Sequence, residues 1–160
     1  MTPEDDRHHP RSEPGIDPDE LARRLLAGMP DGLVVSDADG IIRFWNAGAE
    51  RIFGLSADEA IGQSLDIITP ERLRARHWAG YHETMRTGKT KYGAGDLLSV
   101  PALRKDGSRI SIQFSIVPIA GPNGGLQGIA AIMRDVTADF EARKALQREL
   151  ESCRRSAAEA

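Results

Sequence analysis

The sequence predicts an α+β fold in which two strands, a helical insert and three further strands follow one another along the chain. Short β-branched and aromatic runs joined by turn residues occupy residues 32–45. Apolar residues at helical spacing extend from there to about residue 86. Alternating β segments return in the last third, separated by the turn sequences KDGS and GPNGG. A predicted helix flanks this core at each end.

Length and composition indicate a single soluble globular domain. The chain has 160 residues, of which 40% are hydrophobic and 28% are charged, a balance typical of globular proteins. This length accommodates one ordinary domain with helical extensions. No apolar run approaches the roughly 20 residues of a membrane-spanning helix, and the start MTPEDD lacks the features of a signal peptide. The sequence therefore predicts a cytoplasmic protein with no membrane partner.

Charge, cysteine content and motifs exclude several classes of function. The net charge of −3 provides no basic face for phosphates, so a nucleic-acid partner is not expected. Cys153 is the single cysteine, which excludes an intramolecular disulfide and a thiolate metal cluster. The sequence contains no GxSxG, HExxH or GxxxxGK motif. We therefore predict that the chain is not an enzyme.

The N-terminal region divides into a tail and a helix. Residues 1–16 combine prolines and charges with almost no large apolar side chains, which predicts a disordered tail. An amphipathic helix is predicted over residues 17–29, with Asp17 as N-cap, Pro18 in the first position and Glu20 completing a capping box. Its apolar stripe comprises Leu21, Leu25, Leu26 and Met29.

Turn and capping signals set the elements of the central region, residues 30–137. Gly40 ends the DADG turn and is predicted to adopt a positive φ. Ser56 and Glu59 form the capping-box pattern of a short helix. A longer helix is predicted over residues 70–86, before the sequence TGK.

The C-terminal segment, residues 138–160, predicts a signalling helix. It is rich in Ala, Glu, Lys, Arg and Leu and contains neither Gly nor Pro. An apolar seam at alternating spacings of four and three consists of Leu146, Leu150, Cys153 and Ala157. Such a seam favours a coiled coil in a homodimer, and the alternative is a helix that folds back on its own domain.

Three blocks of the sequence together resemble a PAS domain, the sensory module of bacterial signalling proteins. They are GLVVSDADGIIRFWNAGAERIFGLSADEAIGQSL, ALRKDGSRISIQFSIVPI and GIAAIMRDVT. The resemblance implies the PAS fold: a five-stranded antiparallel sheet, a helical insert between strands 2 and 3, and a ligand pocket beneath the long helix. It also implies a sensor, for example in two-component signalling, that transmits a conformational change to the C-terminal helix. The alternative function is a cofactor-free module for protein interaction and dimerisation.

The long helix carries a more specific resemblance. The sequence PERLRARH, residues 70–77, is similar to the haem-binding PAS domains of bacterial oxygen sensors, which implies haem b with His77 as the iron ligand. Tyr81 is near the place of the pocket tyrosine in that family, and Leu73 is predicted to share the same helix face. His82 is about 140° round the helix from His77, so the two cannot both face inward.

Two positions differ from the pattern of the oxygen sensors. Tyr81 follows His77 by four positions, whereas those sensors have a spacing of three. Asp96 lies in the segment YGAGD where they place a ligand-binding arginine. The alternatives to haem are an unknown small molecule or an empty pocket.

Overall fold

The computed structural model describes residues 15–90 and 97–158, in eleven elements. The five strands are β1 (Gly32–Asp37), β2 (Ile42–Trp45), β3 (Leu98–Leu103), β4 (Arg109–Ala120) and β5 (Leu126–Asp135). The helices are α1 (Pro18–Gly28), α2 (Ala47–Phe53), α3 (Ala57–Ala60), α4 (Glu71–Thr87) and α5 (Thr137–Ala158), with a 3₁₀ turn at Leu65–Ile67. Most of the predicted tail, and Asp96, lie outside the described residues.

The five strands form one antiparallel sheet in the order β2-β1-β5-β4-β3. The predicted fold class is thereby confirmed, with all the insert helices between β2 and β3. β3 is an edge strand, so its Pro101 can lack an N–H without breaking the interior of the sheet. Strands β1 and β5, which are far apart in sequence, pair at the centre.

The hydrophobic core lies between one face of the sheet and the helices of the insert. Phe53 of α2 is fully buried and packs against Trp45 of β2, with ring centroids 5.2 Å apart. Burying a large apolar side chain stabilises the fold by about 1.5–3 kcal/mol. The sheet contributes further fully or almost fully buried residues to this core: Val34, Ile42, Ala102, Ile110, Ile112, Ile129 and Met133.

The predicted turn and capping residues were correct where the interacting groups are close in sequence. Gly40 has a φ of 74°, and Ser56 and Glu59 form the predicted capping box. The Asp17 side chain accepts a hydrogen bond from the N–H of Asp19. The predicted role of Glu20 was wrong, because this carboxylate instead forms ion pairs with two arginines of the next turn, Arg23 at 3.0 Å and Arg24 at 2.6 Å.

The terminal helices leave their apolar stripes uncovered. No residue of α1 or α5 is buried. In α5, Leu146 is 72% exposed and Leu150 is 52% exposed, so α5 does not fold its seam back onto its own domain. Within the described ranges, no helix combines the length and hydrophobicity that crossing a membrane requires.

Candidate functional site

Helix α4 presents one face to the interior and the other to solvent. The helix starts after Pro70 and ends at Gly88, which has a φ of 69°. Tyr81 and Thr84 are buried, while His82 is exposed. The partly buried side chains of α4 are Leu73, Arg74, His77, Trp78 and Met85. The three predicted site residues, Leu73, His77 and Tyr81, are thus all on the inward or half-inward side.

His77 has a buried ring nitrogen with no protein partner. Its Nδ1 atom is inaccessible and makes no hydrogen bond. Its ring packs edge-on against Trp78 at a centroid distance of 5.0 Å and lies tilted against Tyr81 at 6.0 Å. Burial lowers the pKa of the His77 imidazole, an effect that Asp66 opposes and His82 reinforces. A neutral imidazole at physiological pH has one nitrogen lone pair that can bind a metal.

Tyr81 fastens α4 to strand β1. Its hydroxyl donates a hydrogen bond to the carbonyl oxygen of Asp37 at 2.5 Å. The same hydroxyl is 2.9 Å from Oγ of Ser36, a residue that is 3% exposed. Burial raises the pKa of the Tyr81 phenol, so it stays protonated and able to donate. Its polar end is therefore already engaged with the protein.

Trp78 forms a second attachment of α4, which the sequence analysis did not predict. Its Nε1 donates a hydrogen bond to Oδ1 of Asp66 at 2.9 Å. Its ring lies against Gly40, where an added Cβ would be 2.3 Å from ring carbons. The indole also stacks with the His82 ring, with ring centroids 5.7 Å apart. The only sequence signal for this contact was the glycine of the DADG turn.

The core-side face of the sheet is partly open at its β3 edge. Val100 pairs with Ile112, so the two side chains are on the same face. Ile112 is buried, yet Val100 is 37% exposed. Phe114 and Ile116 of β4 are also only partly buried against the core. Apolar surface of β3 and β4 is therefore left partly uncovered.

Two surface hollows lie elsewhere. One, of about 380 Å³, is lined by Phe53, Gly54, Arg104, Lys105 and Asp106. The other, of about 360 Å³, lies between α1 and the β2–α2 junction. Neither contains His77, Tyr81 or Leu73, so neither is the predicted site.

Comparison with known protein families shows to which family the chain belongs. The model of the PAS fold family matches residues 26–139. The chain belongs to the PAS family. This PAS chain is 35% identical over 130 residues to the sensor protein FixL of Bradyrhizobium diazoefficiens. It is 27% identical over 116 residues to the oxygen sensor protein DosP of Escherichia coli.

These alignments cover most of the present chain but a small part of each relative. They include 81% of the chain and 25% of FixL, and 72% of the chain and 14% of DosP. The chain therefore spans a quarter or less of the length of these relatives. It is a PAS sensory domain similar to theirs, whereas the activities of the whole relatives are a separate matter.

Solved structures confirm the fold. The PAS domain of a protein from Colwellia psychrerythraea has a TM-score of 0.66 and 27% identity, covering 76% of this chain and 99% of that domain. An RNA-binding light-oxygen-voltage receptor also has a TM-score of 0.66, at 18% identity, covering 90% of this chain and 41% of the receptor. The second likeness indicates a shared fold alone.

Proposed function

We propose that this PAS domain is the sensory input unit of a larger signalling protein and that it binds haem b through His77. The observation that carries the proposal is the buried, unpartnered Nδ1 of His77. A buried polar atom without a hydrogen bond is costly, and a metal ligand is one way to use it. DosP, to which the chain is similar, is an oxygen sensor protein, and this agrees with the proposal.

His77 would hold the haem iron through its imidazole. The ring stands on a 17-residue helix, and burial keeps the imidazole neutral. The apolar face formed by Val100, Phe114 and Ile116 would be the opposite wall of the pocket. When bound, haem would supply iron chemistry suited to sensing a small gaseous molecule. Tyr81 would serve as a pocket wall and not as a hydrogen-bond donor to that ligand, because its hydroxyl is engaged.

The proposed output passes from the sheet to α5. Thr137 begins α5, and both its N–H and its hydroxyl donate to Oδ1 of Asp135, at 2.9 and 2.5 Å. The Thr137 hydroxyl oxygen also accepts a hydrogen bond from the N–H of Ser111 in β4 at 3.0 Å. A displacement of the central strands would therefore move the first turn of α5. We expect the exposed seam of α5 to pair with a second copy of the chain, which would carry the displacement onward.

Absorbance of protein purified from haem-producing cells tests the haem proposal. The wild type is expected to show the intense Soret band of haem and His77→Ala to lose it, while both retain the same circular dichroism. His82→Ala is the matched control, since His82 is on the same helix but exposed, and it should keep the band. A wild type that neither purifies with haem nor binds added hemin contradicts the proposal.

The second candidate function is a cofactor-free module for interaction between subunits. It is favoured by the uncovered apolar residues of α1 and α5, among them Leu25 at 57% and Leu146 at 72% exposed. This module would dimerise equally well in His77→Ala and wild type, and neither would bind hemin. Absence of an enzymatic role is part of both proposals.

A further inference from the structure

We propose that Ser36 and Tyr81 act as a positioning pair that holds the His77 ring in its inward orientation. This inference rests on the proposed ligand role of His77 and assigns a purpose to a buried polar contact between α4 and β1. The Ser36 and Tyr81 hydroxyls meet at 2.9 Å although the two residues are 45 positions apart. Both residues are buried, at 3% and 7% exposure.

A chain of contacts connects strand β1 to Tyr81 and Tyr81 to His77. Ser36 belongs to β1, which pairs with both β2 and β5 and is therefore held on both sides. Tyr81 is bonded to β1 twice, through Ser36 and through the Asp37 carbonyl. The Tyr81 ring in turn packs against the His77 ring one helical turn away, at a centroid distance of 6.0 Å and a tilt of 40°. Fixing the tyrosine thus restricts the histidine.

His77 needs such support because it has little of its own. Its Nδ1 is the nitrogen left for the iron, and no hydrogen bond within the described residues holds its Nε2 and so sets the ring angle. In metal sites a ligating histidine is normally oriented by a hydrogen bond from its other nitrogen. Here the flanking rings of Tyr81 and Trp78 supply the restriction by packing. Trp78 has its own anchor in Asp66, so each of the two flanking rings is tied by a hydrogen bond to a different part of the scaffold.

The decisive variant is Ser36→Ala, because it removes a hydroxyl that bonds Tyr81 and adds no group near His77. The readout is the side-chain carbon–proton NMR spectrum of His77 in the haem-free chain at one fixed pH. Ser36→Ala and Tyr81→Phe are both expected to shift and broaden the His77 ring signals. The matched control is Thr84→Val, because the Thr84 hydroxyl is equally buried but bonds only the Gly80 carbonyl of its own helix.

A double variant separates the proposed effect from a loss of folding. Tyr81→Phe alone leaves the Ser36 hydroxyl buried without its partner, whereas Ser36→Ala with Tyr81→Phe removes both polar groups. The Asp37 carbonyl keeps a hydrogen bond from the N–H of Gly40 in every case. The double variant should fold and give the His77 signals of Tyr81→Phe. Unchanged His77 signals in folded Ser36→Ala and Tyr81→Phe would overturn the proposal, as would an equal shift in Thr84→Val.

Hemin binding supplies an independent readout. If His77 holds the iron, Ser36→Ala and Tyr81→Phe should release hemin to excess apomyoglobin roughly fivefold faster than wild type, the factor expected for one lost buried hydrogen bond. Thr84→Val should release it at the wild-type rate. Release at the wild-type rate from both pair variants would overturn the positioning role. If no variant binds hemin, the haem proposal alone fails, and the NMR spectra of the haem-free chain still decide whether the pair positions His77.

Discussion

Arg104, which follows β3, donates a hydrogen bond from Nη2 to Oδ2 of Asp135 at the end of β5, over 2.6 Å. Its Nε donates to the carbonyl oxygen of Ile52 in α2 at 2.9 Å. The other carboxylate oxygen of Asp135 accepts from Thr137 at the start of α5. One arginine and one aspartate therefore connect the helical insert, the sheet and the outgoing helix.

Replacing Asp135 should loosen the start of α5. Asp135→Ala leaves the Arg104 guanidinium and the N–H of Thr137 without this acceptor, and we expect a loss of about 1–2 kcal/mol in unfolding free energy, because the site is partly solvated. Hydrogen exchange in the first turn of α5 should become faster. Glu141→Ala, an exposed change beyond the first turn of the same helix, should leave both quantities nearly unchanged. Wild-type exchange in Asp135→Ala would contradict this coupling.

The same carboxylate predicts a pH dependence of stability. Burial by itself would raise the pKa of Asp135, but hydrogen bonds from Thr137 and the charge of Arg104 together bring it below the ordinary value of 3.8. A depressed folded-state pKa stabilises the fold above the unfolded-state pKa, and this stabilisation disappears as the pH falls through the folded-state value. Unfolding free energies measured from about pH 5 to pH 2 should fall more steeply in wild type than in Asp135→Asn. Parallel curves would show that Asp135 contributes nothing.

The packing of Trp78 on Gly40 predicts a large effect of a small substitution. Gly40→Ala introduces a methyl group at a φ of 74° and within 2.3 Å of the indole ring, so we expect a loss of about 2–4 kcal/mol. Gly88→Ala is the matched control, because its φ of 69° is similar but nothing lies within 4 Å. That variant should lose only about 1 kcal/mol, the cost of the left-handed backbone alone. Equal losses by chemical denaturation would argue against the packing role of Trp78.

The exposed seam of α5 predicts a homodimer. Leu146→Glu with Leu150→Glu places two like charges at the centre of the seam and should yield a monomer in light scattering at tens of micromolar. Ser152→Glu adds a charge to the same helix outside the seam and should remain dimeric. A monomeric wild type at that concentration would contradict the dimer, and a dimeric double variant would place the interface elsewhere.

The order of the elements and several of their ends could be predicted because those features depend on nearby residues. The turn at Gly40 and the capping box of Ser56 and Glu59 involve groups within a few positions of one another. Such interactions are visible as sequence patterns. The same reasoning failed at Glu20, where arginines one turn further on compete for the carboxylate. The antiparallel five-stranded sheet was recognisable only from the combined blocks of the PAS pattern.

The tertiary structure alone decided which side chains meet at α4. Helical spacing placed His77 and Tyr81 on one face, but it could not pair Tyr81 with Ser36, which is 45 positions away. The sequence pattern also could not predict that Trp78 packs against Gly40. Nor could it predict that Val100, on the core side of an edge strand, remains partly exposed. Periodicity reports which face of an element is apolar, whereas partners across the core depend on strand order and on how the insert is laid over the sheet. The sequence by itself thus determined the kind of domain and nominated His77 as a candidate iron ligand, and the packing of α4 against β1 decided that the neighbouring Tyr81 is bonded to Ser36 and Asp37.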